Sequence, residues 1–251
     1  MSAPLFLLDD GALVGVEVGD GVDLGGSEGH HAVNVSRMRP GQPILLADGS
    51  GALAHCRVAE VGKGSLSARV ESVEMEPVPQ PRFTLIQALA KGDRDLLAIE
   101  VGTELGVDEV VPWEAERSVV RWRGDRAEKA QRKWHNTLIA ATKQARRSRV
   151  PGLGAVTDRS AVVRRIMAAD VSLLLHESAT QPLSGMTPQE LPVEGEVLLI
   201  VGPEGGVSDE ELEAFVQAGA RAVRLGSTVL RTSTAGSAAI AVLSSLRRWR
   251  S

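Results

Sequence analysis

The chain has 251 residues, enough for one large domain or two modest ones with separate cores. Its charged fraction of 24% and apolar fraction of 43% are those of a soluble globular protein, and no apolar run is long enough to span a bilayer. A net charge of −4 argues against a polyanionic partner until its distribution is followed along the chain.

Cys56 is the single cysteine, which excludes an internal disulfide and a cysteine-built zinc site. The histidines show no H-x-x-x-H spacing, so no metal is expected. Met1 to Gly11 has acidic flanks and no cleavable apolar core, so no secretion signal is read, and the expected location is cytoplasmic.

Residues from about Leu5 to Val73 read as short β pieces broken by glycine. Ile44–Ala47 and Ala52–Val61 flank Asp48-Gly49-Ser50-Gly51, and an Asp-Gly pair between strand-like runs is a hairpin signal. A further alternating run, Leu66 to Val73, follows Gly62-Lys63-Gly64, and together these predict a small barrel. His30 to Met38 predicts one short helix ending before Pro40-Gly41, with His31 equally well read as a structural hydrogen-bonding group. Glu76-Pro77-Val78-Pro79-Gln80-Pro81 is the joint, because proline at alternate positions keeps the chain extended. The expected division is a β-barrel domain over 1–76, a proline-rich linker over 77–82 and an α/β domain over 83–251.

After the joint the periodicity changes. Phe83 to Leu89 predicts a strand; Leu97, Val101 and Leu105 recur at helical spacing, with Gly106 closing the helix. Val110-Val111-Pro112 is a second strand. Asp125 to Arg149 predicts a long helix with Trp134, Leu138, Ala141 and Ala145 on one face and Lys129, Arg132, Lys143 and Arg147 opposite. Between Arg117 and Arg149 also lie Arg121, Arg123, Arg126, Lys133 and Arg146, opposed only by Asp125 and Glu128. Local charge of this kind, rather than the total, decides nucleic-acid binding. Val171–Leu175, Val197–Val201 and Ala222–Leu225 are the remaining strands. Thr232 to Arg248 is the last helix, with Ala235, Ala239, Val242 and Leu246 on one stripe.

The apolar run Val197–Val201 leads directly into Gly202-Pro203-Glu204-Gly205-Gly206, and Ser208 with Glu211 offers a capping box for the next helix. Strand, glycine bend and helix start in succession are how open α/β sheets present a ligand at strand carboxyl ends. The bend is neither a Walker A loop nor a G-x-G-x-x-G fingerprint. Against a bare turn stand the acidic Glu204 and a second glycine loop, Leu225-Gly226-Ser227-Thr228, after the next strand. Hydroxyls at Thr232, Ser233 and Thr234 are expected to cap the last helix. Arg231 is either a functional cation or the partner of Glu204 or Glu177.

These pieces resemble the RsmE group of 16S ribosomal RNA uridine-N3 methyltransferases, within the SPOUT superfamily of knotted enzymes. The matching stretches are G-P-E-G-G at Gly202–Gly206, L-G-x-x-V-L-R-T-x-T-A at Leu225–Ala235 and T-E-L-G-V at Thr103–Val107. Others are Q-A-L-x-K-x-x-R at Gln87–Arg94, Q-x-x-R-x-R-V-P at Gln144–Pro151 and H-x-x-x-V-x-R-M-x-P-G at His31–Gly41. The resemblance implies a PUA-like barrel followed by a SPOUT methyltransferase domain with a C-terminal trefoil knot. It implies S-adenosylmethionine held by Leu175, His176 and Glu177, by Val201 and Gly202, Pro203, Glu204, Gly205 and Gly206, and by Leu225, Gly226, Val229 and Leu230. It also implies a homodimer, for which the stripe of the last helix is the proposed interface. The family often carries glutamate where Ser233 stands, lysine at Val101 and leucine at Ser36, so a carboxylate that could act as base is missing.

The activity implied is methyl transfer to N3 of one uridine in 16S rRNA, on naked RNA or the small ribosomal subunit. N3 is protonated and a poor nucleophile, so the site needs a base or a cation that stabilises the deprotonated ring. Arg231 and Glu204 are the catalytic candidates, with Glu204 alternatively orienting the bend. Arg37, Lys91, Arg94, Arg117, Arg147 and Arg149 are the candidate phosphate contacts. Two alternatives remain: a non-catalytic RNA-binding dimer, and a methyltransferase of this superfamily acting on another RNA position.

Overall fold

Alternating runs in the first third of the chain become β1 (Leu5–Leu7), β2 (Gly21–Leu24), β3 (Pro43–Ala47), β4 (Ala52–Val61) and β5 (Leu66–Met75). In this computed structural model, which describes residues 3–249, they form one sheet in the order β1-β3-β4-β5-β2, antiparallel except for β1 on β3. Ala54, Cys56 and Val58 alternate into a core with Phe6, Leu24, Ile44, Leu46, Ala68 and Val70. Burial there, with the Glu71 charge adding to it, pushes the Cys56 thiol up to about 11, so it stays protonated at neutral pH. The Asp48 carboxylate fixes the β3–β4 turn by accepting from the amides of Ser50 (2.9 Å) and Ala52 (3.2 Å).

The helix expected over His30–Met38 starts earlier, as α1 (Gly26–His30), and continues as one wide turn over His31–Val35. Arg37, at φ 53°, ends it. The His31 ring meets Phe6 edge-on at 5.8 Å, a packing role.

The chain divides into two units: residues through Val78 together with Thr142–Val150, and Pro79–Ala141 together with residues from Pro151 onward. A division at 77–82 does not include this excursion. In the first unit Lys143 pairs with Glu28 (2.6 Å), whose other oxygen accepts from the Leu7 amide. Val150 donates to the Gly49 carbonyl (2.9 Å), and the Arg149 guanidinium donates to the carbonyls of Ser50 and Glu76.

The second unit holds a parallel sheet of β6 (Arg82–Ala88), β7 (Glu109–Trp113), β8 (Gly152–Leu153), β9 (Val171–Leu175), β10 (Glu196–Val201) and β11 (Arg221–Val223), in the order β11-β9-β10-β6-β7-β8. Its helices are α2 (Arg94–Glu104), α3 (Asp125–Gln144, in this unit through Ala141), α4 (Arg159–Ala168), α5 (Asp209–Gln217) and α6 (Thr232–Arg247). Ile86, Leu198 and Ile200 turn to the face covered by α4 and α5, where Val162, Ile166 and Phe215 pack. Leu85 and Val201 turn to the other face, against α2 and α6. The strands are buried on both faces, which is why they read as unbroken apolar runs.

Several local expectations are corrected. The buried face of α2 is Ala98, Ile99, Gly102 and Thr103; Leu97 is exposed and Val101 and Leu105 are half-buried. That face lies against α6 and β6: a Cβ at Gly102 would stand at ordinary contact distance, 3.7 Å, from both Ile240 and Leu85. α3 stops at Gln144 rather than Arg149, since Arg146 takes φ 54° and the chain turns back to pair with the Asp48–Gly51 turn. Trp134, Leu138 and Ala141 are buried as expected. β11 ends at Val223, two residues short of Leu225. β8 and α4 have no forecast, the helix burying only Val162 and Ile166 behind an Asp158 cap.

Gly29 gives a test in which local and tertiary effects oppose. Alanine inside a helix is favoured over glycine by about 1 kcal/mol, but a Cβ there would collide with the Leu24 carbonyl oxygen and stand 2.8 Å from that of Gly64. Backbone cannot give way, so Gly29→Ala should destabilise by about 2 kcal/mol, measured by urea denaturation. A gain in stability would show that the first unit is loosely packed there.

Candidate functional site

Register in the parallel sheet sets the site. Val201 of β10 stands opposite both Gln87 of β6 and Leu175 of β9, and Leu175 stands opposite Val223 of β11. The bends leaving β9, β10 and β11 therefore emerge side by side, where the strand order breaks between β6 and its neighbours. They enclose a cleft of about 590 Å³ and an adjoining one of about 90 Å³, which share Leu175, His176, Glu177, Val229, Leu230 and Ala235. The larger is within the range of small-molecule sites. Every residue expected to hold the cofactor lines one or both of these clefts. Val207, Asp209, Thr232 and Ala235 line them as well, residues for which the sequence carries no expected cofactor contact.

The Gly202–Gly206 bend is tightly built. A Cβ at Gly202 would stand 2.7 Å from Val207 Cγ2, one at Gly205 would stand 3.1 Å from the Arg117 carbonyl oxygen, and Gly206 has φ +77°. Arg117 lies along the bend and donates to the Val207 carbonyl (3.3 Å). Ser208 and Glu211 form the expected capping box at the start of α5, and Glu211 also accepts from the Glu116 amide (2.7 Å).

Glu204 turns toward the start of α2. Its Oε1 accepts from the Arg94 guanidinium (2.7 Å) and the Lys91 amide (3.1 Å). Burial alone would raise its carboxyl. Hydrogen bonds from its own amide, Arg94 and Lys91, with the Arg94 charge, outweigh burial and hold it below the ordinary glutamate range. A carboxylate so held is a poor base and a good anchor for the bend.

Arg231 sits at the N-cap of α6 with its side chain exposed in the larger cleft. Neither Glu204 nor Glu177 pairs with it: the cation on Glu204 is Arg94, and among the described residues no carboxylate lies in ion-pair range of Arg231. The α6 start has no side-chain cap. Thr232 instead donates its hydroxyl proton to the Gly202 carbonyl (2.8 Å) and accepts from the Gln87 amide (2.8 Å), whereas Thr234 turns back to the Arg231 carbonyl.

Of the expected phosphate contacts, Arg94 and Arg117 reach the cleft and Lys91 adjoins it through its amide. Arg37, Arg147 and Arg149 belong to the other unit, and the Arg149 guanidinium is committed to backbone carbonyls there. The basic cluster expected between Arg117 and Arg149 is neutralised in part. Lys143 pairs with Glu28, Arg132 with Glu128 and Lys133 with Asp93, while Arg121 and Arg123 share Glu114. Of the α6 stripe offered as a dimer face, Ala235 and Ala239 are buried inside the chain and Val242 and Leu246 are half-buried.

The RNA methyltransferase domain family matches residues 76–244, and the RNA methyltransferase PUA domain family matches residues 24–71. The ribosomal RNA small subunit methyltransferase E of Mycobacterium tuberculosis is 42% identical over 229 residues, 89% of this chain and 86% of that protein. The chain belongs to the ribosomal RNA small subunit methyltransferase E family. The Bacillus subtilis member is 30% identical over 87% of this chain and 88% of its own. The crystal structure of the Neisseria gonorrhoeae member, bound to S-adenosyl methionine, superposes with a TM-score of 0.85 at 29% identity, covering 98% of each chain. In this member of the methyltransferase E family the first unit is thus a PUA-like domain, and the parallel-sheet unit is a SPOUT methyltransferase domain. No helix among the described residues is long and apolar enough to cross a membrane.

The lowered Glu204 carboxyl has a measurable consequence. A group whose folded value is depressed adds stability above its unfolded value, about 4.3 for glutamate, and loses it as pH falls through the folded value. Melting temperatures followed from about pH 6 to about pH 3 should therefore fall further for the wild type than for Glu204→Gln. Parallel curves would show that the Arg94 pair adds nothing.

Proposed function

We propose that the chain transfers a methyl group from S-adenosylmethionine to N3 of one uridine in 16S rRNA, in the cytoplasm, on naked RNA or the assembling small subunit. The observation that carries this reading is the meeting of three bends, from β9, β10 and β11, around one cleft with an unpaired guanidinium, that of Arg231, at its wall. We read these bends as the knotted part of the chain.

The residues present suit the cofactor. Leu175, Val201, Val229, Leu230 and Ala235 supply apolar walls for an adenine, and glycine at 202, 205 and 206 lets backbone approach a ribose. The carboxylates of Glu177, Glu204 and Asp209 complement the positive sulfonium and ammonium groups, and Arg94 and Arg117 complement a carboxylate or phosphate. When bound, S-adenosylmethionine supplies an electrophilic methyl group.

Arg231 then stabilises the negative charge that spreads over O2 and O4 of the uracil when N3 loses its proton, a task suited to a permanent cation with a planar donor fork. Glu204 orients the bend through Arg94 and Lys91 rather than serving as the base. Since N3 lies on the Watson–Crick edge, the uridine must be unpaired or flipped out, and Arg94 and Arg117 are placed to steer its phosphates. We assign Lys91, Arg37 and Arg147 to peripheral phosphate contacts, and place a homodimer contact on exposed Leu97 and half-buried Val101 of α2 with half-buried Leu105 at its end.

Calorimetric titration with S-adenosylmethionine, followed by mass spectrometry of 16S rRNA methylated in vitro, tests the reading. N3-methyluridine at a single position is expected; absence of cofactor binding would favour an inert RNA-binding module, and methylation elsewhere would move the target. Arg231→Ala should lower turnover on the order of 100-fold while changing cofactor affinity less than about threefold. A loss confined to cofactor affinity would place Arg231 in the wrong role.

A further inference from the structure

Resting on the proposed cofactor site, we infer that Gln87 and Thr232 form a buried positioning relay that sets Arg231 against the Gly202–Gly206 bend. Gln87 is fully buried, one residue from the end of β6 and opposite Val201 in β10. Its side-chain amide donates to the Thr232 hydroxyl (2.8 Å) and the Ala88 carbonyl (3.2 Å). Thr232, the first residue of α6, passes its own proton to the Gly202 carbonyl (2.8 Å). One chain of hydrogen bonds thus joins the end of β6, the first residue of the glycine bend and the residue after Arg231.

The direction of the chain matters. Because the glutamine amide occupies the hydroxyl's acceptor side, the Thr232 proton is committed to Gly202, and the first peptide of the bend cannot rotate. Gln87 Oε1 is buried with no hydrogen-bond partner among the described residues. An apolar residue would fill the centre of this sheet without that cost. A residue kept despite a local penalty marks a place where positioning, rather than stability, decides the side chain.

The test uses the full chain with Gln87→Met, Thr232→Val, Thr232→Ser and the Gln87→Met/Thr232→Val double variant. Calorimetric S-adenosylmethionine affinity, single-turnover methyl transfer to 16S rRNA and melting temperature are read for each. Gln87→Met and Thr232→Val should each slow single-turnover transfer about tenfold, the scale of one buried hydrogen bond broken with a partner left unmatched. Thr232→Ser, which keeps the hydroxyl, should recover transfer to within about threefold of wild type, and the double variant should be no slower than Thr232→Val. Unchanged transfer, losses that simply add, or serine failing to rescue while wild type binds cofactor would overturn the relay alone. Wild-type protein that bound no S-adenosylmethionine would overturn the cofactor assignment and the relay with it.

Discussion

The close approach of the first turns of α6 to the ends of β6 and β10 is the constraint on which the site depends. Gly236 makes it possible: a Cβ there would stand 2.9 Å from Leu85 Cδ1 and 3.4 Å from Val201 Cγ2, so the helix backbone lies nearly on the sheet. With α6 at that depth, Thr232 reaches the Gly202 carbonyl and Arg231 emerges at the rim of the cleft. The far end of the helix is held equally firmly. Arg248 donates to the carbonyls of Pro81 and Gly106, pairs with Asp108 and lies over the Phe83 ring at 3.9 Å. A helix pinned at both ends gives the Arg231 guanidinium at its start a definite position, which is the condition for electrostatic preorganisation.

Charge around the cleft is divided between the Arg94–Glu204 pair and groups that form no ion pair among the described residues, Arg231 among them. Arg94 and Glu204 satisfy each other across the bend, and Arg117 spends a donor on the Val207 carbonyl. Among the described residues Arg231 lines the cleft with no carboxylate in ion-pair range, so its field is available to whatever enters. The same accounting separates arginines that build the fold from those that can meet RNA. Arg121 and Arg123 hold the 114–123 loop through Glu114, and Arg149 ties Thr142–Val150 into the PUA-like unit. An arginine whose donors are filled by carbonyls has little left to give a phosphate.

The cleft-forming part of this protein was legible because its signals are local. A continuous apolar run can only be a buried strand or helix, and glycines with proline directly after it can only bend. Ser208 and Glu211 cap α5 through their own side chains, with no need of a distant partner. The strands at Val171–Leu175 and Val197–Val201 and the three bends therefore lie where sequence placed them, and the motifs shared with the RsmE group named the chemistry.

What tertiary structure alone decided involves residues whose partners are far away in sequence. The apolar stripe of α2 is its outer face, because α6 packs on the side of Ala98 and Gly102 rather than that of Leu97 and Val101. α3 ends early because the Asp48–Gly51 turn, nearly a hundred positions back, offers carbonyls to the chain beyond it. Gln87 and Thr232 stand 145 residues apart, and only the packing of α6 across β6 and β10 brings their side chains together. Local sequence sets backbone preference and burial; the partner of a buried polar group is a long-range property, settled only when the layers close.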